Sequence, residues 1–561
     1  MRAFRFVCSC LVIAGGFVTP ATAADPPAFA SIAQQLTVTP KSGTTATVAV
    51  ALKPGAQLPP DAEAQLGLAQ ATSSTGPRIA ANAAFDFDAL AQDQQRRDDL
   101  AKRGALVPIF EGRQFKGWRQ IARIDPQLIR NSVSAKTPID IPMDALAGIP
   151  VTIDPSRELM ITDLSVVEDP ARTFDACTQT GTPMGAWTFG RLMTDMANGH
   201  DASDMVEKWL RLWMTDQTVN TFVATGRPAI SDFLLTTWRR TNGKLDLGQA
   251  PMRLLAIVNR LDLRTNRTWN GGEAGEGRFV FGVLNPSDCQ AAPFFTLIIE
   301  YGVPKTGCAA VHAWAAQWHA LGSLKLGTPA YNTALQQVTD TFARANANPA
   351  KPNGSALNQM RSEEGELATP WELREFRLDG PSHLFVESTV AQTPDIRFNV
   401  NPNLHTLTDY INANQAAILS GSYAVPLKFP ITGNQPFLGA SAPNVLMFWN
   451  SIPPANSNDA RHNFSLGTCS GCHGQETDTF FTHVTPRQSH QVAALSEFLT
   501  GDPGTLRRPG TVTMPDHVDN SPRTYGDLLA RQSKLDAILG ASCSALGQYQ
   551  QALASPLNMV H

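Results

Sequence analysis

Residues 278–303 read RFVFGVLNPSDCQAAPFFTLIIEYGV, two aromatic and β-branched runs separated by Asn, Pro, Ser and Asp. Runs of this kind, bounded by turn residues, are strands. RLLAIVNRLDLR at 253–264 is a third. Three strands close together, with no long helix between them, predict an antiparallel sheet rather than a series of parallel crossovers. Helical spacing lies on either side. In ASDMVEKWLRLWMTD (202–216) Met205, Trp209, Leu212 and Trp213 share one face, and AAVHAWAAQWHALGSL (309–324) and PAYNTALQQVTDTFARA (329–345) repeat the pattern. The fold class this implies is α+β, a large middle region with an antiparallel sheet and flanking helices.

One stretch carries two signals. TPWELREFRLDG (369–380) has Thr369, Pro370 and Glu372 placed as a helix start, with a capping box. Only eight residues then precede Asp379-Gly380, which suits a strand ending in a turn, and a strand is expected.

The chain opens MRAFRFVCSCLVIAGGFVTPATAADPP. A basic flank, a short apolar core and Ala21-Thr22-Ala23 are the parts of a secretory signal peptide over residues 1–23. The apolar stretch is too short for a permanent span, and nothing later offers about 18 consecutive apolar residues. The expectation is a periplasmic or secreted protein with no integral membrane segment in the mature chain. Net charge is −4 with no basic block, which argues against nucleic acid as a partner. With 43% apolar and 17% charged residues, the chain can bury a large core.

Residues 24–80 are rich in Ala, Pro and Thr and read as linker, with a possible hairpin in LTVTPKSGTTATVAVAL (36–52). FDFDALAQDQQRRDDLAKRG (85–104) reads as a polar helix. The α+β region is expected over 81–455. From 456 to 561 the composition changes, with five of the eleven histidines between His462 and His517. HQVAALSEFLTG (490–501) and GDLLARQSKLDAILGASCSALGQYQQALA (526–554) read as helices, and 501–523 between them as a long loop, which makes a small, mostly α unit.

That last segment contains GTCSGCHGQE (467–476). Two cysteines at i and i+3, with His at i+4 on a helical turn, can form thioethers with both vinyl groups of a haem and ligate its iron. The segment resembles c-type cytochromes over about residues 456–561. The resemblance implies haem c held by Cys469 and Cys472, with His473 as the proximal iron ligand. The distal ligand stays open between Met514, in TVTMPDHV, and His483, in DTFFTHVTPR, and an open position would allow small-molecule binding. As a whole the chain also resembles large secreted bacterial proteins with this C-terminal element, which supplies neither substrate nor redox partner.

Two other readings compete. A zinc site would draw on Cys469, Cys472 and a pair such as His483 and His490. A disulfide between Cys469 and Cys472 would leave a haem-free secreted enzyme or binding protein. If those two cysteines hold a cofactor, Cys177, Cys289, Cys308 and Cys543 remain for disulfides in an oxidising compartment. Cys289 with Cys308 is the local pairing, which leaves Cys177 with Cys543, although four cysteines allow three connectivities.

The middle region has no HExxH, GxSxG, P-loop or dinucleotide fingerprint. Asp163, Glu168, Asp169 and Asp175 gather near Arg172 in 160–183, and Glu276 with Arg278 in GGEAGEGRFVFG (271–282). They read as solvated loop charges with an internal Arg–Asp pair.

Overall fold

The computed structural model describes residues 153–541 and 543, apart from 264–273, 352, 369, 401–403, 422, 431–434, 444–448, 450–453, 480–481 and 502–509. It also gives the backbones of five short strands between residues 32 and 119. The signal peptide and the helix expected at 85–104 lie outside the described residues. By internal contacts the chain divides into two units. The first comprises 1–138, 400–403 and 513–523, and the second 139–399, 404–512 and 524–561.

In the first unit, Ile32–Pro40 pairs antiparallel with Ala46–Leu52 and with Leu68–Ser73. The hairpin expected at 36–52 is present. Val107–Glu111 and Gln114–Arg119 form a second small hairpin.

The second unit is built on one antiparallel sheet. Its strands are β1 (Met160–Ile161), β2 (Met252–Arg260), β3 (Glu276–Leu284), β4 (Ala291–Gly302), β5 (Leu357–Glu364), β6 (Glu372–Leu378), β7 (Phe385–Ser388) and β8 (Ala442–Pro443). They lie in the order β7-β6-β5-β4-β3-β2-β1, with β8 also pairing β6. The three runs that predicted the sheet are its centre. The ambiguous stretch at 369–380 is strand β6, because pairing with β5 and β7 outweighs the helix-start signal.

Register separates two faces. Ile257, Phe279, Ile299, Met360 and Phe376 lie side by side across five strands. They pack into the main core with helices α1 (Phe189–Ala197), α2 (Ala202–Leu212), α3 (Cys308–Leu321) and α4 (Pro329–Ala343). Met205, Trp209 and Trp213 are buried there as expected.

One residue along, the opposite face carries the row Val258, Arg278, Glu300 and Gln359, and the row Val280, Ile298, Arg361 and Glu375. Every residue of β2, β3 and β5 is nevertheless buried. Glu276 and Arg278 are therefore not solvated loop charges. They are 1% and 3% exposed and pair at 2.7 Å. Of the acids near Arg172, Asp169 makes the expected internal pair at 2.6 Å, Glu168 pairs with Arg487, and Asp175 pairs with Arg253.

The disulfides are Cys177–Cys289 and Cys308–Cys543, which corrects both expected pairings. Cys289, in the turn between β3 and β4, meets the loop carrying Cys177. Cys308 opens α3, which packs against α7 (Asp527–Gly540), the helix that precedes Cys543. Nearness in sequence misled, because the chain leaves β4 in a different direction from the β3–β4 turn.

Two further corrections fall after residue 480. The helix expected over 490–501 is only Glu497–Thr500. Val484 instead bridges Leu495, and Thr485 N donates to Ala494 O. The loop expected at 501–523 contains the strand Val512–Pro515, which pairs with Pro522–Tyr525. Among the described residues no helix is long and apolar enough to cross a membrane. That and the two disulfides are compatible with a secreted protein.

Candidate functional site

The Cys-Ser-Gly-Cys-His turn follows helix α5 (Asn458–Leu466) and forms the short helix α6 (Cys469–Cys472). Thr468 caps it: its hydroxyl accepts from Gly471 N at 3.0 Å and from Trp449 Nε1 at 2.7 Å, and donates to Ser465 O. Gly471 is required by close approach, since a Cβ there would lie 2.1 Å from Ser465 O. Cys469 N donates to Thr393 Oγ1 at 3.0 Å, which fixes the turn against the segment after β7. His473 ends the turn, its N–H donating to Cys469 O.

After the turn, Glu476 locks the chain. It accepts from both terminal nitrogens of Arg461, at 2.7 and 3.1 Å, and meets His462 Nδ1, while its backbone carbonyl accepts from Tyr525. The loop 483–496 then closes on itself. Ser496 N donates to His483 O, and Ser496 Oγ lies 2.8 Å from His483 Nδ1.

His483 and His473 thereby come together, with ring centroids 4.7 Å apart and planes inclined at 65°. His473 Nδ1 is 3.3 Å from Glu363 Oε1, and Glu363 Oε2 accepts from Thr296 Oγ1. Trp371 lies 5.5 Å from the His473 ring, and Phe498 lies 5.0 Å from that of His483. His483 Nε2 is 3.5 Å from Cys472 Sγ.

All four groups are enclosed. Cys469, Cys472 and His473 are 0% exposed and His483 4%. Burial pushes the Cys469 thiol up to about 12, raises Cys472 well above the usual thiol range, and lowers His483 well below that of histidine. Burial also raises the Glu363 carboxyl, to about 8.

Of the residues singled out from sequence, Cys469, Cys472, His473 and His483 are gathered here. Met514 lies half-buried in the strand Val512–Pro515 and belongs to the first unit. The two thiols are free, not joined to each other. His490, the fourth member of the zinc reading, has a side chain 84% exposed and pairs with Glu168 at 3.0 Å. Glu363, Thr296, Thr393 and Trp371 were missed. They lie more than seventy residues before the motif, and only the folded sheet and its connections bring them to it.

A covalent haem, the group the motif implies, can be tested against these residues. The donor set fits: two thiols on one turn and two imidazoles 4.7 Å apart, inclined edge-on at 65°, with Glu363 beside one nitrogen of His473 and Ser496 beside one nitrogen of His483. The space in this closed packing does not. The cavity beside His483 and Glu363 is about 40 Å³, against the roughly 300 Å³ at which small-molecule sites begin. Haem and this packing exclude each other, so a loaded chain has to be more open around these rings. No protein-family model, curated protein or solved structure matches the chain.

Proposed function

We propose that the chain is an exported, one-haem c-type cytochrome-like protein that transfers electrons. Cys469 and Cys472 would hold the haem by thioethers, and His473 and His483 would supply imidazole nitrogens to its iron. The observation that carries this reading is the buried pair of imidazoles, 4.7 Å apart, beside two unjoined thiols. An exported protein with free thiols needs a reason for them, and covalent attachment supplies one.

When bound, the group supplies a one-electron couple, lower with two imidazoles than with imidazole and methionine. The chain's own residues do the positioning. Glu363 Oε1, 3.3 Å from His473 Nδ1, would orient that ring. The Ser496 hydroxyl, 2.8 Å from His483 Nδ1, would orient the other. Trp371 and Phe498 cover the two rings and keep water from them.

The closed packing favours a second reading, a haem-free secreted enzyme or binding protein with Cys469 and Cys472 as a disulfide or metal clip. One experiment separates the two. The full chain is exported together with the haem-attachment machinery, and a denaturing gel is stained for haem peroxidase activity. The first reading expects a stained band at full length and a red protein with Soret and α/β bands. A colourless band overturns it.

A further inference from the structure

We propose that the cavity beside His483 binds a small oxyanion of the carboxylate type through Arg531. The inference goes beyond the haem reading and does not require it. Val258, Val280 and Ile298 form the apolar wall of the cavity, and Arg260, Arg278 and Arg531 its polar side. The three arginines are 0%, 3% and 2% exposed.

Two of them are committed. Arg260 lies 2.8 Å from Asp262, and Arg278 lies 2.7 Å from Glu276 and 3.3 Å from Glu300. Arg531 Nη2 lies 2.6 Å from Asp527 Oδ2, but neither oxygen of that buried carboxylate is in hydrogen-bonding geometry, so the pair does not satisfy the guanidinium. Its Nε and Nη1 are buried and have no hydrogen-bond partner. Buried guanidinium donors without acceptors are costly, and an occupant with acceptor oxygens removes that cost.

Burial, and after it the neighbouring Arg260, holds Arg531 down to about 10. The carboxyl on the wall, Glu363, is already engaged by Thr296 and His473. Size limits the ligand. The cavity is about 40 Å³, and one water fills about 10–15 Å³ of such space. An occupant of about three non-hydrogen atoms fits, which is the size of formate or of the carboxylate end of a larger bound group.

The test uses the full chain exported from cells that lack the haem-attachment machinery. Its thermal midpoint is followed against sodium formate, with sodium chloride at matched ionic strength as the control. The expected result is a saturable rise with formate alone, and a half-saturation concentration at least tenfold higher in Arg531→Lys. Leu499→Phe, which fills the cavity from its apolar side and leaves the guanidinium in place, is expected to abolish the response even if the Arg531 variant fails to fold. Retention of the response on haem-loaded chain identifies a free anion as the occupant. Formate acting no more strongly than chloride, or equally on the parent and on Leu499→Phe, overturns the proposal whether or not the chain takes haem.

Discussion

Replacing Arg361 by Met tests whether the charged sheet face is as dry as its geometry requires. Arg361 is 1% exposed. Its Nη1 lies 3.0 Å from Glu300 Oε1 and its Nη2 3.1 Å from Glu375 Oε2. At an effective dielectric near 20, each contact is worth roughly 5 kcal/mol of gross attraction, set against several kcal/mol of desolvation for each buried ion. The substitution deletes both attractions and leaves both carboxylates in place.

Neither carboxylate is left wholly alone. Glu300 keeps Arg278 at 3.3 Å and the Gln359 amide at 2.5 Å, and Glu375 keeps Arg377 at 2.8 Å. The loss should therefore fall at the low end for breaking a buried pair from one side, about 3 kcal/mol. Adding Glu375→Gln removes one stranded charge and should recover about 1 kcal/mol or more. Urea unfolding followed by tryptophan fluorescence measures both. A single variant within about 0.5 kcal/mol of the parent would refute the buried ladder, since losses that small belong to solvated surface sites. So would a double variant that loses further stability.

Four other outcomes follow from the same geometry. Peptide mapping without reduction should recover Cys177 joined to Cys289 and Cys308 joined to Cys543, and Cys308→Ala/Cys543→Ala, which releases a span of 235 residues, should cost about 2 to 5 kcal/mol. In haem-free chain, Cys469 and Cys472 should resist alkylation until the protein unfolds, because both thiols are buried and pushed far above neutral pH; rapid labelling of the native chain would contradict the closed packing. Burial raises the Glu387 carboxyl from 4.5 to about 8, so the native state keeps a proton that the unfolded chain loses, and stability should fall as pH rises through that window; Glu387→Gln should flatten the decline, by up to about 1.4 kcal/mol per pH unit. In haem-loaded chain, His483→Ala should turn a low-spin spectrum high-spin and Met514→Ala should leave it unchanged, with the reverse pattern assigning the ligand to Met514.

The centre of the sheet was legible because β2, β3 and β4 are almost continuous apolar runs, the pattern of strands covered on both faces. Its charged face was not legible. LNQMRSEE and ELREFRL are mostly polar and charged, and that composition does not say whether a face meets water. Arg361, Glu363 and Glu375 look like solvent-facing residues until another layer of chain is placed over them. The site divides the same way. The Cys-x-x-C-His spacing is local chemistry and could be read directly. The pairing of His483 with His473 depends on the loop 483–496 folding back through Ser496. Helical spacing in 490–501 pointed elsewhere, because isolated propensity is weak against a bridge such as Val484–Leu495.

The placement of Glu363, Trp371 and Thr393 bears on what the large middle region is for. A haem-bearing segment that folded by itself would position its ligands with its own residues. Here His473 has the Glu363 carboxyl of β5 3.3 Å from its Nδ1, its aromatic neighbour just before β6, and the anchor of the preceding turn in the segment after β7. Cys469 shares a small apolar cluster with Leu373, Val390, Ala391 and Ala442, each contributed by the sheet region. The Cys-x-x-C-His segment is thus one wall of an enclosure, and the charged sheet face is the other. Glu363, next in sequence to Ser362 and the Arg361 ladder, is held on that face by the Thr296 hydroxyl, and the ladder's buried charges keep a fixed geometry only while every partner is in place. A redox or binding centre made this way depends on the sheet for its geometry, so changes on β4 and β5 should alter it as directly as changes in the motif itself.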